Sequence, residues 1–116
     1  MPLVVLGLNH RTAPVEVRER MVFDTAALPA VLAELHSQEG ISEALIVSTC
    51  NRTELYCVVD GDAAGLRRWL LTRHAAHGFE HCLYEHFDGA AVRHVFAVAA
   101  GLDSLVLGEP QILGQL

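Results

Sequence analysis

Lysine is missing altogether: all eight basic residues are arginine, set against fourteen acidic ones, for a formal charge of −6. A chain this acidic is poorly equipped for generic nucleic-acid binding, which depends on neutralising phosphates. Arg67, Arg68 and Arg73 lie close together, so a local basic patch on an acidic domain stays open. Cysteine is scarce and odd in number. Cys50, Cys57 and Cys82 follow no framework spacing, which suits free thiols in a reducing cytoplasm rather than a secreted, stapled fold. No apolar run approaches the roughly 20 residues that span a bilayer, and the N-terminus lacks a basic stretch followed by a cleavable apolar one. No G-x-G-x-x-G turn follows a strand and opens a helix, so no dinucleotide site is expected within these residues. Internal repeats and low-complexity tracts are absent too. What is present is one domain of 116 residues, 52% hydrophobic, with a mean hydropathy of +0.32. That is enough for a core without disulfide support.

Leu3-Val4-Val5-Leu6-Gly7-Leu8 reads as a buried strand, followed by the polar loop Asn9-His10-Arg11-Thr12-Ala13-Pro14. Leu28, Val31, Leu32 and Leu35 recur at helical spacing, with Asp24 as a cap, Pro29 in the first turn and Gly40 as the stop. Ala44-Leu45-Ile46-Val47 and Leu55-Tyr56-Cys57-Val58-Val59 read as strands flanking a hairpin turn. A second helix turns Leu66, Trp69 and Leu70 inward and Arg67 and Arg68 outward, ending near Gly78. Cys82 to Phe87 reads as a fourth strand. Asp88 then caps a third helix whose buried face is expected to be Val92, Val95, Phe96 and Ala99, stopping at Gly101. The resulting order, β-α-β-β-α-β-α, predicts an α+β fold: a ferredoxin-like antiparallel sheet with additional C-terminal helices. In that topology the loops holding His10 and Cys50 share one end of the sheet, and the third helix climbs back toward it. Glu109 to Leu116 opens like a further helix and stops short, as a cut through a longer protein would.

The most informative stretch is Ser48-Thr49-Cys50-Asn51-Arg52-Thr53-Glu54-Leu55-Tyr56. A cysteine kept for packing belongs inside an apolar run, because the free thiol behaves as a small hydrophobe. Cys50 instead falls where the chain turns, with a guanidinium two positions on to favour the nucleophilic thiolate. The competing reading is an inert surface thiol. Thiol catalysis also needs a proton carrier, for which His10 and His94 are candidates, and donors for the developing oxyanion. His94 lies beside an apolar helical face, where a structural role competes with a catalytic one. Arg11 and Arg52 could clamp a carboxylate or form surface ion pairs of small worth. His74, His77, His81, Cys82 and His86 match no closed zinc spacing and straddle a helix end and a strand, so no metal site is expected.

Gly7 to Val15, Ser48 to Tyr56 and Ala100 to Gln115 together resemble glutamyl-tRNA reductase, specifically its N-terminal catalytic domain. The resemblance spans essentially the whole chain. It implies that Cys50 attacks the ester joining glutamate to the tRNA 3′ end, leaving a glutamyl thioester. NADPH, held by a domain absent from this sequence, would then reduce the thioester to glutamate-1-semialdehyde, the precursor of 5-aminolevulinate and tetrapyrroles. It further implies a substrate site of Thr49, Cys50, Asn51, Arg52, Ser104, Glu109, Pro110, Gln111 and Gln115, with His94 as a second catalytic residue. Implied partners are glutamyl-tRNA, glutamate-1-semialdehyde aminotransferase and, in the full-length family, a second copy of the enzyme, all in the cytoplasm and away from membranes. Two other classes compete: a non-catalytic module that binds a pathway partner, and a thiol redox or metal-binding domain.

Overall fold

The computed structural model describes residues 2–74 and 78–100. Strand β1 (Leu3–Asn9) leads into α1 (Val15–Met21), a 3-10 turn at Thr25–Ala27 and α2 (Leu28–His36). Strands β2 (Ile41–Ser48) and β3 (Arg52–Val59) form a hairpin, followed by α3 (Ala64–Arg73). A second 3-10 turn at Glu80–Cys82 precedes β4 (Tyr84–Phe87) and α4 (Asp88–Ala99). The strands form one sheet in the order β2-β3-β1-β4, every neighbour antiparallel. This is the ferredoxin-like arrangement, α+β as expected.

Both faces of the sheet are covered, which explains why β1 reads as a continuous apolar run rather than an alternating one. On one face Val4, Leu6, Leu8, Leu55, Cys57 and Val59 pack with Val17 and Met21 of α1, Val31 and Leu35 of α2, and Leu66 and Leu70 of α3. On the other, Val5, Val47 and Tyr56 lie under Ala91 and Val98 of α4. Each fully buried side chain of this kind contributes roughly 1.5–3 kcal/mol.

Four local expectations need correction. Helix α1 was not foreseen: four of its seven residues are charged, Val15 is exposed, and only Val17 and Met21 face inward, so its buried apolar signal is one i, i+4 pair. Glu16 in its first turn and Arg18 and Arg20 in its last complement the helix dipole. Strand β4 starts at Tyr84 rather than Cys82, because Cys82 closes the 3-10 turn in which Leu83 N–H donates to Glu80 O at 3.1 Å. Asp88 does not cap α4; it is the helix's first residue, at φ 49°, and its carboxylate accepts from Leu3 N–H at 3.1 Å. The expected buried face of α4 is also misplaced. Val95 packs inward as expected, but Val92 and Phe96 are 44% and 70% exposed, and Ala91 and Val98 take their place in the core. Apolar residues occupy two sides of this helix, and spacing alone chose the wrong one. Two smaller differences concern helix ends. Asp24 caps the 3-10 turn ahead of α2, accepting from Ala26 N–H, and α3 ends at Arg73 rather than near Gly78.

The register fixes the useful geometry. Asn9, the last residue of β1, pairs with Arg52, the first of β3, and Ser48 pairs with Thr53. The loops after β1 and β2 therefore share one rim. Helix α4 starts at the opposite end, beside Leu3, and runs back along the sheet.

Candidate active site

A two-residue turn carries Cys50. Thr49 N–H donates to Arg52 O at 2.8 Å, and the Thr49 hydroxyl accepts from the N–H groups of Asn51 and Arg52 at 3.2 and 3.3 Å. Threonine at this position thus absorbs the backbone donors that a tight turn would otherwise leave bare. Thr49 and Asn51 are buried while Cys50 is exposed, so the turn presents one side chain, the thiol. Ser48 anchors the hairpin from beneath, its Oγ accepting from Phe23 N–H at 2.9 Å. Beside the turn, the Asn9 side chain accepts from Arg11 N–H at 2.9 Å, and the Asn9 carbonyl accepts from Thr12 and Ala13. Cys57 and Cys82 are buried, and burial pushes the Cys57 thiol up to about 12.

Behind the turn lies a polar cluster that no sequence argument identified. Arg52, Glu54 and Tyr56 alternate along β3 and so share one sheet face. Glu54 is fully buried, and four side chains converge on its carboxylate. Tyr56 Oη donates to Oε1 at 2.5 Å, Arg52 Nη1 lies 3.4 Å from Oε1, and Tyr84 Oη and His94 Nε2 both contact Oε2. Burial alone would raise the Glu54 pKa, but the hydrogen bond and charge of His94, with the two tyrosine hydroxyls, outweigh it and hold the carboxyl below its ordinary range. Tyr84 moves the opposite way. Its burial and the adjacent Glu54 charge push the phenol up, so it remains a donor. An ionised carboxylate can only accept, which places the shared hydrogen on His94 Nε2 and, in the neutral ring, leaves a lone pair on Nδ1. Glycine at position 7 makes room for this: a Cβ there would meet Thr53 O at 2.4 Å and Glu54 Cγ at 2.8 Å.

Arg52 was expected either to clamp a carboxylate or to make a surface ion pair; its pair with Glu54 is wholly buried. The polar partner of His94 is Glu54, two residues along β3 from Arg52, roughly 7 Å in from the turn. Thr49, Cys50, Asn51 and Arg52 therefore stand together at the rim, with His94 held just behind them. Ser104, Glu109, Pro110, Gln111 and Gln115 lie outside the described residues. The histidine tract scatters: His74 bonds Leu70 O and packs edge-on to Phe23, His81 is exposed, and His86 stacks on His94; His77 is outside the described residues. Arg67 pairs with Glu85, and Arg73 with Glu34 at 2.9 Å, which leaves little of the suspected basic patch. A groove of about 690 Å³ exists between α2, α3 and the far ends of β2 and β3. It lies at the opposite end of the sheet from Cys50, and its mixed charges, including Asp60, Asp62, Arg68 and Arg73, converge on no nucleophile.

Similarity to known proteins extends over nearly the whole chain. The family model described as "Glutamyl-tRNAGlu reductase, N-terminal domain" matches residues 6–116. The chain belongs to this family. Among curated glutamyl-tRNA reductases, that of Stenotrophomonas maltophilia is 58% identical over the whole of this chain, which spans 26% of that protein. The enzyme of Marinobacter nauticus is 56% identical, again over the whole chain and 28% of the relative. The solved glutamyl-tRNA reductase from Methanopyrus kandleri superposes with a TM-score of 0.74 at 30% identity, covering 97% of this chain and 26% of that one. The chain thus spans about a quarter of the length of its glutamyl-tRNA reductase relatives.

The described residues do not fit a nicotinamide dinucleotide. Strand β1 exits into Asn9–Pro14, β3 into Asp60-Gly61-Asp62-Ala63 and β4 directly into Asp88. No glycine-rich turn cradles a phosphate among them, and a carboxylate stands at the start of α4. Nor is any described helix long and apolar enough to cross a membrane.

Proposed function

We propose that this domain performs the acyl-transfer half of glutamyl-tRNA reduction. The Cys50 thiolate attacks the ester carbonyl that joins glutamate to the tRNA 3′ end. The C–S bond forms as the C–O bond breaks, and the terminal ribose oxygen departs with a proton. His94 is the proposed proton carrier: as a base it takes the thiol proton on Nδ1, and as an acid it returns one to the leaving oxygen. Glu54 stabilises the imidazolium formed between these steps, which is the task a buried carboxylate performs in a nucleophile–histidine–carboxylate arrangement.

Thr49, Asn51 and Arg52 are the proposed rim of the substrate site, completed by Ser104, Glu109, Pro110, Gln111 and Gln115. Arg52 is the only permanent cation of that set; it would pair the free carboxylate of the glutamyl group where substrate draws its guanidinium out of the buried pair with Glu54. NADPH binding, release of glutamate-1-semialdehyde, dimer formation and delivery to the aminotransferase are assigned to the longer polypeptide, working in the cytoplasm. The observation that supports the reading is an exposed Cys50 in the turn that opens β3, the strand whose Glu54 holds His94.

Intact-protein mass spectrometry after incubation with glutamyl-tRNA tests it. A glutamyl adduct mapping to Cys50 supports acyl transfer. A protein that binds the substrate without acquiring the adduct would support the non-catalytic binding module instead.

A further inference from the structure

We propose that His86 is a positioning residue for His94, an inference resting on the reading of His94 as the proton carrier. His86 and Tyr84 are two apart on β4 and share the sheet face beneath α4. The His86 and His94 rings stack with centroids 4.7 Å apart and planes inclined by 29°. Tyr84 closes a third side, 5.3 Å from the His86 ring and 5.4 Å from the His94 ring. The His94 imidazole is therefore gripped three ways: Glu54 holds its Nε2 edge, His86 covers a face, and Tyr84 borders the ring while sharing the same carboxylate.

The grip matters because a hydrogen bond to Nε2 leaves one freedom. The ring can still swing about the axis through that bond, carrying Nδ1 with it. A flat group stacked on its face removes that freedom, and a proton-transfer nitrogen misplaced by about 1 Å can lose on the order of a hundredfold in rate. Other polar groups around the pair come from β3: Arg52, Glu54 and Tyr56. None of them stacks on His94 among the described residues; His86 and Tyr84 supply the ring contacts.

Two substitutions separate stacking from mere bulk in the full chain. His86→Phe keeps a flat ring, and His86→Ala removes it. Adduct formation with glutamyl-tRNA should be about tenfold slower in His86→Ala than in His86→Phe. Carbethoxylation of His94 by diethyl pyrocarbonate, followed by peptide mass, should be about tenfold faster in His86→Ala than in His86→Phe. Equal carbethoxylation in the two variants would overturn the stack, whatever the activity. Unequal carbethoxylation with equal adduct rates would overturn the positioning role. A Cys50→Ser protein that still accumulates the adduct would sink the reaction assigned above, leaving the carbethoxylation comparison intact.

Discussion

Exposure separates Cys50 from the other two thiols, and the separation decides which can react. Cys57 lies in the core, and burial holds its thiol near 12, far from the range in which a thiolate forms at neutral pH. Cys82 is closed off at the end of the 3-10 turn. Cys50→Ser should therefore abolish the glutamyl adduct, while Cys57→Ser and Cys82→Ser retain it, as read by intact mass. Equal loss in all three would defeat the assignment. Gly7 offers a second test at this scale. A methyl group there collides with the Thr53 carbonyl and the Glu54 side chain, and neither has an easy way to yield. Gly7→Ala should cost about 2 kcal/mol of stability, the order found for overpacked cores, measured by urea denaturation. A midpoint equal to wild type would show that the strand pair can spread.

Strand β3 does two jobs, and its alternation divides them. Leu55, Cys57 and Val59 feed the main core, while Arg52, Glu54 and Tyr56 build the polar cluster on the opposite face. Glu54 ties stability to pH. Its carboxyl lies below the ordinary value of 4.5, so the folded state favours the ionised form. That stabilisation is complete above about pH 4.5 and is lost as pH falls through the lower folded value. Glu54→Gln should remove this part of the acid sensitivity and, by leaving Arg52 without its buried anion, cost about 3 kcal/mol at neutral pH. Urea midpoints from pH 3 to 7 test both; a variant with the wild-type acid slope would exclude Glu54 as its source. The strand carried a readable sign of this cluster. Arginine, glutamate and tyrosine at period two, inside an otherwise apolar strand, mark a polar face. Nothing in the sequence showed that α4 would bury that face, because the apolar pattern of the helix pointed at Val92 and Phe96. Phe96→Ser should accordingly change stability by no more than about 0.5 kcal/mol, as at other exposed sites. A loss of several kcal/mol would mean that Phe96 is covered in solution.

At the scale of the whole molecule, topology was readable because each strand and its turns left local marks. Asn-His-Arg, Thr-Cys-Asn and the runs on either side punctuate the chain, and a βαββαβ order closes into one familiar sheet. Helix α1 escaped notice because two inward residues make too faint a period, and its role is only to cap one end of the core. The meeting of Glu54 and His94 required the third dimension. They sit 40 residues apart, and only the return of α4 across the sheet brings the histidine onto the β3 carboxylate. The same topology sets a limit on the chemistry. Every sheet-to-helix crossing in the described residues lacks a phosphate-binding turn, and the chain spans about a quarter of its relatives. The 116-residue chain given glutamyl-tRNA and NADPH together should therefore accumulate the Cys50 adduct and leave absorbance at 340 nm unchanged. Hydrolysis of the thioester should be its only exit, seen as slow return of unmodified protein with free glutamate. NADPH consumption in step with aldehyde formation would show that these residues bind the hydride donor after all. That result would overturn the division of labour argued from the strand exits.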